Sequence, residues 1–289
     1  MAHSLKPSPP HSGGPRAHVL HEANYGQLLE RRPNVALLPW GATEAHNFHM
    51  PHGTDVLEAV SLAERAADLA AAAGARPIVL PAIPFGNNAQ QQDQVATVHL
   101  STGTALAILR DVTASLSRQG IDRLVIVNGH GGNDFKPLVR DCQLSSGVTI
   151  LVVDFWRLCP GVLAEQFDDP GDHAGQLETA LLLHLRPEWV EMERAGPGAR
   201  ALSLPEGITQ AAAWTPRPWS LVHPDTGSGD PRQATAEQGR VFFEAATLAL
   251  ATLIRTLSDL PPGSGIFAKP ADRDTVGQAN QGRTAGDAL

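Results

Sequence analysis

The chain has 289 residues, 42% hydrophobic and 18% charged, a balance ordinary for a globular protein long enough to bury a substantial core. A formal net charge of −8 and a pI near 5.8 exclude the basic face that a nucleic acid or an anionic membrane would need. The two cysteines, Cys142 and Cys159, lie outside any CxxC pair; they read as buried free thiols, and the expected location is the cytoplasm.

In chain order, residues 1–16 are rich in Pro, Ser, Gly and His and lack an apolar h-region, so a disordered leader is expected here, not a signal peptide. Arg31-Arg32 before an apolar stretch has the outline of a twin-arginine signal, but that stretch is short and runs directly into Glu44 and His46. No run of about 18 uncharged apolar residues occurs, so no membrane span is expected.

Four short apolar runs predict buried parallel strands: Val35 to Trp40, Pro77 to Pro81 with a possible extension to Phe85, Leu124 to Val127, and Val148 to Phe155. Helical patterns lie between and after them. Val56 to Ala73 stops at Gly74, and Thr104 to Gln119 carries Leu106, Leu109, Val112 and Leu116 at helical spacing before Gly120. Leu177 to Leu185 and Thr235 to Leu257 complete the set. Strands alternating with helices predict an α/β fold, a mainly parallel sheet with helices on both faces. Residues 191–230, rich in Pro, Gly and Trp without a period, are too long for a simple connection and are expected to form a lid or an oligomer contact. A single domain over 17–260 with a flexible tail over 261–289 follows.

Ligands of open α/β sheets sit beyond the carboxyl ends of the strands, and the acids and imidazoles of this chain gather there. After the first strand come Glu44, His46, His49, His52 and Asp55, with Glu44 and His46 on one side of an extended segment and Asp55 opening the next helix. Pro51 and Gly53 oppose a helical metal site using His46, His49 and His52, so His49 and His52 are taken as wall residues. After the third strand, Asn128-Gly129-His130-Gly131-Gly132-Asn133 is a sharp glycine turn without the Lys of a P-loop, better suited to holding a metal than a phosphate. The third cluster, Asp172-His173-Ala174-Gly175-Gln176-Leu177-Glu178, enters a helix; His173 lies in a loop where an acid/base imidazole is useful.

These three motifs, in this order from about Val35 to Leu185, together resemble the creatininase (creatinine amidohydrolase) family. The resemblance implies a three-layer αβα sandwich, two divalent metal ions (Zn²⁺, Mn²⁺ or Fe²⁺) and a homo-oligomer, a hexamer favoured. Carried over by position, Glu44 and His130 bind one metal, His46 the other, and Asp55 bridges. Creatinine-hydrolysing members take a fifth ligand from a Glu in the turn after the His; here that position is Gly132, and Glu178 is the natural replacement. Against two divalent ions, the carboxylates of Glu44, Asp55 and Glu178 leave one positive charge, which a bridging hydroxide offsets; that hydroxide is the expected nucleophile, and His173 the proton donor to the leaving nitrogen.

The expected partner is a small polar amide of cyclic or formamide type. Creatinine itself is disfavoured, because the loop Ala164 to Asp172 offers only Phe167 where such members place tryptophan; Trp156, Trp214 and Trp219 are read as packing or surface residues. The amide run from Asn87 to Gln94 suits either a polar substrate or a subunit contact. A metallopeptidase-like relative and a non-catalytic metal-binding oligomer are the alternatives. A two-metal phosphoesterase lacks an Arg/Lys clamp beside the three motifs.

Overall fold

Strands β1 (Val35–Trp40), β2 (Pro77–Val79), β3 (Arg123–Asn128) and β4 (Thr149–Asp154) form one parallel sheet, ordered β2-β1-β3-β4, in the computed structural model, which describes residues 14–208 and 213–267. Every residue of β1 and β3 is buried, as their unbroken apolar runs require of strands covered on both faces. β2 is shorter than its apolar run. Leu80 and Ile83 still donate to β1, at Leu37 O and Pro39 O, but Pro81 and Pro84 have no N–H to continue the ladder.

The helices are α1 (Tyr25–Glu30), α2 (Thr54–Ala72), α3 (Thr102–Arg118), α4 (Phe135–Ser146), α5 (Pro160–Gln166), α6 (Gln176–Leu185), α7 (Trp219–Val222) and α8 (Ala236–Asp259). On one face Ala59, Ala63 and Ala66 of α2 and Leu250 and Ile254 of α8 pack on Val35, Leu37, Val125 and Val127. The alternate strand residues Ala36, Leu38, Leu124 and Ile126 meet Leu109 and Leu116 of α3 and Leu138 and Cys142 of α4 on the other. Strand period two thus builds two cores, and the expected αβα layering is observed. α6 lies against α8 through Ala180, Leu181, Phe242 and Ala246. By length and mean hydropathy α8 could cross a bilayer, yet its apolar face, Phe242 to Leu257, is spent on α2, α6 and the sheet.

α1, α4, α5 and α7 fall where the patterns predict no helix. α4 has the stripe Phe135, Leu138 and Cys142, but Pro137 in its first turn breaks the sequence signal while leaving the helix intact. Residues 191–230 are irregular as expected, apart from α7 and a single 3₁₀ turn at Met192–Arg194; residues 209–212 lie outside the described residues. Most of the predicted leader and tail also lies outside them. Where the described chain begins, Arg16 pairs with Glu22 and Glu64.

The connection β1–α2–β2 leads away from β3 along one face, and β3–α4–β4 leads away from β1 along the other. The loops leaving β1 and β3 therefore diverge and open a crevice between their carboxyl ends.

Candidate metal centre

Register sets the floor of that crevice. Trp40, Asn128 and Asp154 stand level on neighbouring strands, Gly129 N–H donates to Trp40 O at 2.9 Å, and Asn128 Nδ2 donates to Asp154 Oδ1 at 2.9 Å. Asn128 Oδ1 accepts from His130 N–H, turning His130 back over the strand ends. Beyond β1 the chain loops from Glu44 to His52, closed by Glu44 N–H to His52 O, and delivers Asp55 in the first turn of α2. Gly129 admits this helix: a Cβ there would stand 2.3 Å from Asp55 O. On the third side Ala174 adopts φ 49°, and its N–H donates to Glu178 Oε2, so His173 and Glu178 both turn inward. The six residues singled out in the sequence, Glu44, His46, Asp55, His130, His173 and Glu178, are brought together.

Each of the three imidazoles has one ring nitrogen on a backbone carbonyl: His46 Nδ1 on Glu44 O (3.0 Å), His130 Nε2 on Asn87 O (3.2 Å) and His173 Nε2 on Ala45 O (2.8 Å). A carbonyl oxygen only accepts, so each of those nitrogens carries its proton, and in the neutral ring the other nitrogen is a lone pair. Those lone pairs face carboxylates. His46 Nε2 lies 2.7 Å from Asp55 Oδ1, His130 Nδ1 2.9 Å from Glu44 Oε1 and 3.1 Å from Asp55 Oδ2, and His173 Nδ1 3.5 Å from Glu44 Oε1. Both Glu44 oxygens, His46 Nε2 and Asp55 Oδ2 are buried without a hydrogen bond. Lone pairs this close repel unless a proton or a cation stands between them.

The electrostatics express the same demand. Burial alone would lower the His46 pKa, but Asp55, with Glu178 and Glu44 beyond it, reverses this and holds it at about 10. His130 is likewise raised well above the ordinary range, burial being overcome by Glu44 and Asp55. Asp55 is held low because His46 and His130 outweigh its own burial. The pocket thus recruits positive charge, and its ligand atoms suit divalent ions: those of Glu44, Asp55 and His130 lie within 4.8 Å of one another, as do those of His46, Asp55 and Glu178. Asp55 belongs to both groups. A third grouping joins Glu44, His46 and His173.

Gly132 leaves no room for a ligand from the turn, since a Cβ would stand 2.4 Å from His130 Nε2 and 2.5 Å from Asn87 O. His49 is buried, bonded to Thr179 Oγ1 at 2.9 Å, and burial, helped by His46, lowers its pKa to about 4. His52 is half-buried and bonded to Val95 O. Sequence reasoning missed Glu58. One turn after Asp55, it is fully buried with both oxygens unpartnered, and burial, then Glu178 and Asp55, raise its pKa well above the carboxylate range. Its signal was a lone acid on the apolar stripe of α2. Trp219, expected to be a packing or surface residue, is buried and packs edge-on to His173 with centroids 5.4 Å apart, and Arg217 lies 4.4 Å over its ring. Ser228 exchanges backbone hydrogen bonds with His173, so the irregular segment covers the centre. Phe167 turns away into the core against Phe242.

A cavity of about 340 Å³ opens beside His173 and Glu178, walled by Trp156, Arg157, Leu163, Pro170, Asp172 and Leu177. Small-molecule sites begin at roughly this size, about 300 Å³.

The family model for creatininase, creatinine amidohydrolase, matches residues 20–254. Creatinine amidohydrolase of Pseudomonas putida is 27% identical over 79% of this chain and 90% of its own. The mycofactocin precursor peptide peptidase of Mycobacterium tuberculosis is 33% identical over 78% and 86%. Among solved structures, a candidate creatinine amidohydrolase from Bacteroides fragilis superposes with a TM-score of 0.76 at 35% identity, covering 84% of this chain and 97% of that one. A manganese creatininase superposes with a TM-score of 0.71 over 85% and 100% at 22% identity, a likeness of fold. With a family model matched from before β1 into α8, this chain belongs to the creatininase family of hydrolases.

Proposed function

We propose that the chain is a binuclear metal-dependent amidohydrolase cleaving a C–N bond in a small cyclic amide or formamide. One observation carries this reading: three imidazoles, each committed by one nitrogen to a backbone carbonyl, aim the other at buried carboxylates that share Asp55 between two groups. In this reading Glu44 and His130 would hold one ion and His46 and Glu178 the other, with Asp55 available to both. Such ions polarise a carbonyl and make water acidic enough to attack at neutral pH.

The chain's own residues supply the rest. Ala45 O keeps the His173 proton on Nε2, leaving Nδ1 to take a proton from the attacking water and return it to the leaving nitrogen. Trp219 limits the tilt of that ring, and the cover segment shields it from bulk water. Elemental analysis tests the centre: near two metals (zinc, manganese or iron) per chain in the wild type, about one in Glu178→Ala and none in Asp55→Ala. Two metals in both variants would remove these ligands from the scheme.

The 33% identity to a peptide peptidase favours a second reading, in which the scissile amide belongs to a peptide end entering the cavity. Competition between small amides and short peptides separates the two. A cytoplasmic homo-oligomer, a hexamer favoured, remains part of the proposal; exposed Phe48, Val95 and Val98, on loops tied to the Glu44 segment, supply apolar surface for it, and light scattering measures its size.

A further inference from the structure

The three motifs themselves contain no Arg or Lys, yet the fold brings a cation to the cavity. β4 ends at Asp154, and a short turn carries Arg157 over the same carboxyl edge that holds Glu44 and His130, into the wall of the 340 Å³ cavity. Three charged side chains besides His173 line that cavity. The carboxylate of Asp172 is paired with Arg217 of the cover at 2.7 Å, and Glu178 accepts from Ala174 N–H and faces the metal centre. Arg157 is different. Among the described residues it meets only Asp154, 3.6 Å from Nε, and Asp154 already accepts from Asn128 Nδ2. Both terminal nitrogens of the guanidinium remain free to donate, and the side chain is 70% exposed at the mouth. Trp156, Leu163 and Leu177 present apolar walls beside it, and His173 and Glu178 connect the cavity to the candidate metal centre.

We propose that Arg157 determines specificity by binding an anionic group of the substrate, so that the amide hydrolysed here carries a carboxylate away from the scissile bond. This rests on the amidohydrolase reading and deepens it. A planar guanidinium with two free terminal nitrogens takes a carboxylate through parallel hydrogen bonds, a geometry that a neutral ester or amide does not match. The carboxylate belongs either to a small acid or to the C-terminus of a peptide, and both present the same fork to Arg157.

The test uses the manganese-loaded protein and calorimetric titration with 5-oxoproline and N-formyl-β-alanine, each beside its primary carboxamide, and with a dipeptide beside its amidated form. We expect the acids to bind roughly ten- to a hundredfold more tightly than their amides, the range for a hydrogen bond to a charged group. Arg157→Gln should bring that ratio close to one, and high salt should narrow it in the wild type. Equal binding of acid and amide by the wild type, or an undiminished ratio in Arg157→Gln, overturns the proposal, as does absence of binding by every acid. Whether small acids or dipeptides show the larger ratio identifies the source of the carboxylate. Turnover in the same samples judges the underlying reading separately. Arg157-dependent binding without hydrolysis leaves the anion site standing and retires the amidohydrolase, whereas hydrolysis indifferent to charge does the reverse.

Discussion

Two regions meet at the centre and are built on different terms. The strand-edge region, Glu44 to Asp55 and Asn128 to His130, hangs from two central strands; its residues are ordered by ladder bonds, a helix start and a glycine that lets the two loops touch. The cover, residues 196–208 and 213–228, has little regular structure and is fastened at points: Gly196 to Asn47, Thr226 to Asn47, Ser228 and Trp219 to His173. The first places ligands through backbone geometry. The second orients one ring through a backbone exchange at Ser228 and side-chain packing at Trp219.

Damage to the strand edge should be the larger. Asp55→Ala leaves two buried imidazoles without their shared counter-charge, a loss of about 3–5 kcal/mol where the partner of a buried charge is removed. Denaturant titration of metal-free protein reads this directly; a variant as stable as wild type would show that Asp55 is not the keystone of this edge. Gly129→Ala should follow, because its Cβ cannot occupy a point 2.3 Å from Asp55 O without shifting α2. Overpacking of this kind costs about 1–3 kcal/mol, and metal affinity should fall with it; unchanged melting and metal retention would argue that the two loops are not rigidly joined.

On the cover, Trp219→Phe should lower stability by about 1 kcal/mol and reduce kcat more than KM, because the ring edge-on to His173 is cut down. An unchanged kcat would reduce Trp219 to packing. Protonation sharpens the contrast, because His46 belongs to the edge alone. Its folded-state pKa is raised to about 10, so its contribution to metal-free stability is full below its unfolded value near 6.5 and is lost as pH rises through about 10. Metal displaces that proton, so loading at pH 7–8 in weak buffer should acidify the solution, and affinity should rise with pH. No proton release would contradict a protonated His46. The smallest effect is expected at Ala174, whose φ of 49° costs an L-residue about 1 kcal/mol. Ala174→Gly relieves this but loses a buried methyl, so the melting temperature should move by only a few degrees.

The edge is also what the sequence reveals best. Val35 to Trp40 and Leu124 to Val127 are unbroken apolar runs ending in glycine turns, and local signals of that kind survive into the fold unchanged. Glu44, His46 and His130 follow a strand end by only a few residues, and Asp55 opens α2, so local spacing marks all four as candidates. Glu58 was hidden because a helix stripe is sought in apolar residues, and an acid within it is passed over. Asn87 was hidden for another reason: its role is played by a backbone carbonyl, and any residue type could supply one. Trp219 reaches His173 through a long-range contact that no local spacing encodes. α4 was legible in Phe135, Leu138 and Cys142, and Pro137 obscured it.

The wall of the cavity between Phe155 and Asp172 comes from the exit of β4 and from α5, whereas the candidate ligands come from the loops after β1 and β3 and from α2 and α6. Shape and charge of the recess can therefore drift through evolution while the proposed metal ligands are inherited intact. A graft exchanging this one stretch between related enzymes should move preference with the graft and leave metal loading with the host.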